Sequence, residues 1–260
     1  MSDSTRLFPS TWKPFNFILT LSLITLSVIT LLCPSTHFIW KHLDMWFFKV
    51  ANGHLCIGKP VKLFWAFANH KYADWVEDVV ILYCCCYYIL KGDKETRLHR
   101  SAQILFVVFF ASSIILFNKL FLSEGVFHSR LSPSIIFDSC IRLSQELPWL
   151  KIKDFSPYSF PSDHGVTAIL VGLHIGYLLK GKMKTFIYFY STFLCLPRMV
   201  VGAHWLTDTL VGSFSISLFF FSWILFTPFG NACSCFIEFL FKKISVIKRK
   251  DSRHLIKSTK

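Results

Sequence analysis

The sequence predicts an all-α integral membrane protein of about six transmembrane helices, with interfacial helices in its outer loops. Three observations carry that prediction. Of the 260 residues only 17% are charged and 53% are hydrophobic, with 29 Phe and 8 Trp; an ordinary soluble domain carries about 25% charged residues. No Asp, Glu, Lys or Arg occurs in the 27 residues from Pro14 to Trp40. Further apolar runs follow, near the roughly 20 residues that a helix needs to cross a hydrocarbon layer. A disordered chain would be poor in apolar residues, and a soluble enzyme richer in charge.

The first expected span covers Phe15–Cys33. It exceeds the roughly 7–15-residue apolar core of a signal peptide, and Pro34-Ser35-Thr36 is no small-residue cleavage site, so it reads as a permanent anchor. From His37 to Tyr72, lysines are mixed with Trp40, Trp46, Phe47, Phe48, Phe64 and Trp65, a pattern that suits helices lying in the interface. Spans are then expected at Ala73–Leu90, Ala102–Leu122, His164–Leu179, Thr185–Val201 and Trp205–Phe226.

The loops set the orientation. Lys91, Lys94, Arg97 and Arg100 share one segment, and Lys180, Lys182 and Lys184 another. From Phe241 onward the tail has eight basic residues against a single acid, Asp251. Six spans put these segments and both termini on one side, which the positive-inside rule makes cytoplasmic. Residues 1–241 then form one polytopic domain and 242–260 a basic cytoplasmic tail, although the lysines after span one fall on the other side. Much of the net charge of +13 thus belongs to topology. The tail suits anionic lipid; a nucleic-acid partner would require one folded basic patch. The opposite face receives Ser123–Asp163 and the turn Arg198–His204.

The nine cysteines do not suggest a disulfide framework. Cys84, Cys85 and Cys86 are consecutive in an apolar run, Cys233-x-Cys235 is too little for a zinc site, and only Cys56 and Cys140 could meet in an outer loop. No nucleotide loop or dinucleotide fingerprint occurs.

Two segments place ionisable groups where membrane helices begin. In Phe160-Pro161-Ser162-Asp163-His164-Gly165, Ser162 or Asp163 is a natural N-cap. The unpaired N–H groups of such a start make an anion site into which His164 would project. Plain capping with an incidental histidine is the bland alternative. In Pro197-Arg198-Met199-Val200-Val201-Gly202-Ala203-His204-Trp205-Leu206-Thr207-Asp208, His204 and Asp208 are four apart and share a helix face. A buried Asp208 is expected to accept one imidazole N–H of His204, freeing the other nitrogen as a nucleophile. Arg198 supplies a planar fork for phosphate oxygens. The alternative is a His–Asp pair that only holds helices together. Asp74, Glu77 and Asp78 also share one helix face; they suit a helix dipole better than a divalent ion.

Pro161-Ser162-Asp163-His164 with Arg198-x5-His204-x3-Asp208 resembles the second and third motifs of the type 2 phosphatidic acid phosphatase (PAP2) superfamily. The resemblance implies a PAP2-like helical bundle, a phosphohistidine intermediate and no metal or other cofactor. It makes His204 the nucleophile, Asp208 its partner, His164 the general acid, and Ser162 and Arg198 phosphate ligands. The family's first motif, K-x6-R-P, is matched only in part by Lys119 and Arg130-Leu131-Ser132-Pro133, because Ser123 stands seven residues before Arg130. Arg130, with Lys119 if its helix continues, is the expected further phosphate ligand.

From about Arg130 to Pro228 the chain resembles the bacterial lipid A phosphotransferase branch of that family. That implies transfer of phosphate from undecaprenyl diphosphate to the 1-phosphate of lipid A, at the periplasmic face of a bacterial inner membrane. Ser162 gives the phosphatase-like form P-S-x-H and leaves hydrolysis of a lipid phosphate open. A protein that only binds or transports a lipid phosphate is the rival from another class.

Overall fold

The computed structural model describes residues 8–126 and 130–258. Among them all regular structure is helical, so the expected all-α membrane fold holds. Helix α1 (Pro14–Leu32) opens on Pro14 and buries only Leu31. Its Phe15 is 76% exposed, and Ile18, Leu23, Leu26 and Ile29 point outward with it. Such a surface is stable only where hydrocarbon replaces water.

Pro34 then breaks the chain. The residue before a proline is pushed out of the helical region, and Cys33 is extended, with ψ 124°. Helix α2 (Pro34–Gly53) restarts with Pro34 in its first turn and buries Asp44, Phe48 and Asn52, one stripe at i, i+4 and i+8. It falls where an interfacial helix is expected, and α3 (Lys59–Ala68) follows it. Next come α4 (Lys71–Leu90) and α5 (Lys94–Phe117), the latter extended by a wider π-helical stretch, Asn118–Val126. Short α6 (Pro133–Ile136) and α7 (Leu143–Glu146) stud the outer segment. Helices α8 (Asp163–Leu178), α9 (Lys182–Leu194) and α10 (Leu196–Val200) come before a π-helical turn, Asp208–Ser213, that runs into α11 (Phe214–Phe226). Helix α12 (Phe229–Ser258) continues through the expected boundary at 241.

Among the described residues, three helices are long and apolar enough to cross a membrane: Pro14–Leu32, Thr96–Leu122 and Asp208–Phe226. Helix α8, at 16 residues, reaches about 24 Å at 1.5 Å per residue. The span expected over Thr185–Val201 is not one helix. The chain tightens at Cys195, whose N–H bonds the Thr192 carbonyl three residues back. Pro197 occupies the first turn of α10, where its missing N–H costs nothing; inside a continuous helix it would remove a bond and clash.

Short turns connect α4 to α5 and α8 to α9, so these helices run antiparallel. The starts of α4 and α8 therefore share one end of the bundle with the ends of α5 and α10. Lys91, Arg97, Lys180 and Lys182 occupy the other end. A core of Cys84, Phe106, Ile175, Leu178, Ile187 and Ile224 fills the basic half. A second, of Leu55, Ala66, Leu143, Leu150, Val200 and Val201, ties α3, the turn before it and α7 to the end of α10. All nine cysteines are free; Cys56 is exposed and Cys140 buried, so the outer-loop pairing does not form.

Candidate active site

The site is assembled from the ends of helices, where backbone polar groups are unpaired. Ser162 caps α8: its Oγ accepts the Gly165 N–H at 3.2 Å. The hydroxyl proton stays available to a ligand. Asp163 accepts a hydrogen bond from Asn118 Nδ2, which fastens the start of α8 to the end of α5. At the other helix start, Ser213 Oγ donates to the carbonyls of both Ser162 and Asp208, at 2.8 and 3.0 Å. The two motif segments are thereby locked together. Gly212 permits this approach, since a Cβ there would stand 2.9 Å from Phe160 Cε2 and Pro161 Cβ.

The loop from α10 to Asp208 is as tightly specified. The Arg198 carbonyl accepts the N–H groups of Ala203 and His204 at 2.9 and 3.3 Å, so Arg198 and His204 are fixed relative to each other. Gly202 adopts φ +80°, where any other L-residue is strained, and a Cβ would lie 2.9 Å from Cys140 Sγ. His164 lies near Arg198, His204, Lys153 and the Leu194 backbone. The two histidines, delivered by different helices, therefore share one neighbourhood.

The expected His204–Asp208 hydrogen bond is replaced by another. His204 Nδ1 lies 2.7 Å from the Ser159 carbonyl oxygen, and Asp208 Oδ2 stands 3.7 Å off, an ion-pair distance. Two other donors turn the Asp208 carboxylate away from the ring: Oδ2 accepts the Trp205 N–H at 2.7 Å and Oδ1 accepts Arg130 Nη1 at 2.6 Å. A carbonyl can only accept, so Nδ1 carries the proton and Nε2 is the lone-pair nitrogen. Ser159 is held in turn, its N–H bonding the Arg130 carbonyl at 2.8 Å.

Arg130 is less free than a bare phosphate ligand. Nη1 donates to Thr207 Oγ1 and Asp208 Oδ1, and Nη2 to Asp44 Oδ2 at 2.6 Å. Asp44 also accepts the Thr207 N–H and hydroxyl, at 2.9 and 2.7 Å. Burial pushes the Asp44 carboxyl above its ordinary pKa, Arg130 and Thr207 pull against that, and Asp208 adds to the push. Lys119 is exposed on the π-helical extension, and its charge reaches Asp163.

Sequence reasoning missed Asp44, Ser159, Thr207 and Lys153. Asp44 was within reach, as an acid on the buried stripe of an amphipathic helix; Ser159 acts through its backbone and carries no side-chain signal. Of the three carboxylates on α4, Asp74 and Glu77 each place a ligand atom within 4.8 Å of a His164 nitrogen. An apolar cavity of about 400 Å³ lies alongside, lined by Ile169, Leu173, Met199, Leu206 and Leu210 among others; Met199 follows Arg198, and Leu206 lies two residues after His204.

Two histidines, two arginines and a helix start thus gather beside an apolar chamber, a set of donors suited to a phosphate group. The PAP2 superfamily model matches residues 101–231, half of the chain, and the protein belongs to that family. It is also similar to the lipid A 1-diphosphate synthase of Escherichia coli (strain K12), with 28% identity over 207 residues, covering 79% of this chain and 84% of that protein. No solved structure matches it.

Proposed function

We propose that the protein is a lipid phosphotransferase that moves the terminal phosphate of undecaprenyl diphosphate onto the 1-phosphate of lipid A, through a phosphohistidine at His204. The observation that carries this reading is the 2.7 Å contact of His204 Nδ1 with the Ser159 carbonyl. It leaves Nε2 as a nucleophile in the neighbourhood of His164 and Arg198. His204 Nε2 attacks the terminal phosphorus while His164 protonates the departing undecaprenyl phosphate oxygen. Arg198, Ser162 and the N–H groups at the start of α8 hold the equatorial oxygens, with Lys119 at the rim. Asp208, 3.7 Å from Nδ1, balances the positive charge that develops on the ring. Arg130 keeps Asp208 in place and offers its remaining N–H groups to phosphate. The acceptor phosphate then takes the group from His204, with His164 acting as base. The apolar cavity supports a hydrocarbon-bearing substrate, and the basic opposite end supports a periplasmic site in a bacterial inner membrane.

Mass spectrometry of lipid A from cells with and without the protein tests this. A gained phosphate that disappears with His204→Ala is the expected result. Unchanged lipid A, with inorganic phosphate released from undecaprenyl diphosphate by the purified protein, would replace transfer by hydrolysis. Activity that survives His204→Ala would point to a lipid-phosphate binder.

A further inference from the structure

The start of α4 brings to the site a carboxylate pair that the transfer chemistry above leaves unused. Asp74 and Glu77 are one helical turn apart, and their oxygens and a nitrogen of His164 lie within 4.8 Å of one another. Asp74 is exposed, whereas Glu77 is only 6% exposed, and its Oε1 has no hydrogen-bond partner. Burying a carboxylate oxygen unpaired is costly unless it holds a proton or faces a cation. The groups facing Glu77 are Asp74 and Asp78 on α4, His164 on α8, Tyr190 on α9, Cys195 just after it, and Arg198 on α10.

His164 has the complementary problem. A general acid must carry its proton before the reaction, yet this ring is half-buried among other basic groups, Arg198, His204 and Lys153. We propose that Glu77, backed by Asp74, is the positioning residue of His164: the carboxylate pair at the start of α4 keeps the imidazole oriented and proton-bearing beside the phosphate. This rests on the reading of His164 as the acid.

The proton count closes without any further reagent. As the His204 Nε2–P bond forms and the P–O bond to undecaprenyl phosphate breaks, the His164 proton passes to the departing oxygen. As the acceptor oxygen bonds phosphorus and the N–P bond breaks, the acceptor's proton returns to His164. The carboxylates stabilise the charged ring at the start and end of the cycle. They do not themselves touch substrate.

The test follows phosphoenzyme formation by rapid quench, using purified protein and undecaprenyl diphosphate labelled in its terminal phosphate. Glu77→Gln is expected to lower kcat about 10- to 100-fold with KM unchanged, and to move the alkaline limb of the pH–rate profile to lower pH. Glu77→Asp should restore much of that limb, and Asp74→Asn should give a smaller shift. An equal loss at every pH in Glu77→Gln and Glu77→Asp alike would make the role merely structural and overturn the proposal, as would no loss at all. So would activity abolished by a chelator and restored by Zn²⁺ or Mn²⁺, which would make the three groups a metal centre. If the wild type itself forms no phosphoenzyme, the reaction assignment fails. The pairing is then judged by ¹⁵N imidazole spectra, where the protonated fraction of His164 near neutral pH should fall about tenfold in Glu77→Gln; an unchanged fraction overturns it.

Discussion

Asp44 shows how a residue remote from the motifs can control them. It lies 86 positions before Arg130, and nothing in the P-S-x-H or R-x5-H-x3-D patterns points to it. Yet it holds both the guanidinium and Thr207, the residue before Asp208. Breaking a buried ion pair costs more than the pair is worth, because the remaining charge is stranded. Asp44→Ala is therefore expected to destabilise the protein by about 3 kcal/mol, the low end for such pairs, since Arg130 keeps Asp208 and some solvent. A thermal melt in detergent measures this, and an unchanged midpoint would show the pair to be idle. Gly202→Ala tests the loop itself. With φ +80° and a contact 2.9 Å from Cys140 Sγ, it should cost at least about 1–2 kcal/mol. Because His204 is two residues away, phosphoenzyme formation should suffer more than the melting temperature.

The helices explain which parts of the architecture could be read from sequence. Helix α1 and its stop at Pro34 follow from an uncharged run ended by a proline, and the buried stripe of α2 from residues four apart. The break inside the expected fifth span follows from Pro197, but its consequence does not. Only the packed structure shows that, after the turn at Cys195, the Arg198 carbonyl accepts the His204 N–H and Arg198 Nη1 donates to the Lys153 carbonyl. The motif histidines were legible because their chemistry depends on side-chain type and spacing; the Ser159 carbonyl was not, because every residue has one. Helix α12 offers a test at this scale. His99 Nδ1 lies 2.8 Å from Glu238 Oε2, and Lys242 Nζ 2.6 Å from Oε1. Burial alone would raise the Glu238 carboxyl, but bonds from Lys242 and His99 bring it below its ordinary value. A lowered pKa in the folded state gives stability that is present above the unfolded value and lost as pH falls through the folded one. Amide exchange in α12 should therefore quicken in Glu238→Gln at neutral pH, and the difference from wild type should vanish on acidification below the Glu238 range.

For the whole molecule, the segregation of charge is the property that matters. The ionisable groups of the candidate site gather at one end, and Lys91, Arg97, Lys180 and Lys182 at the other, with apolar side chains exposed between them. Single-cysteine variants can read this directly. Cys56, exposed just after α2, and Cys235, exposed on α12, should react with a membrane-impermeant maleimide from opposite faces of sealed vesicles. Labelling from the same face would invert the expected arrangement of the chain.

The Ser159 carbonyl has a consequence for how this enzyme tolerates genetic change. Where a carboxylate alone dictates which ring nitrogen is bare, one codon can abolish the chemistry. Here the choice is written into the main chain, so Asp208→Asn should retain the correct tautomer of His204 and lose chiefly the compensation of charge. Only displacement of the whole 156–162 strand of loop would turn the ring around.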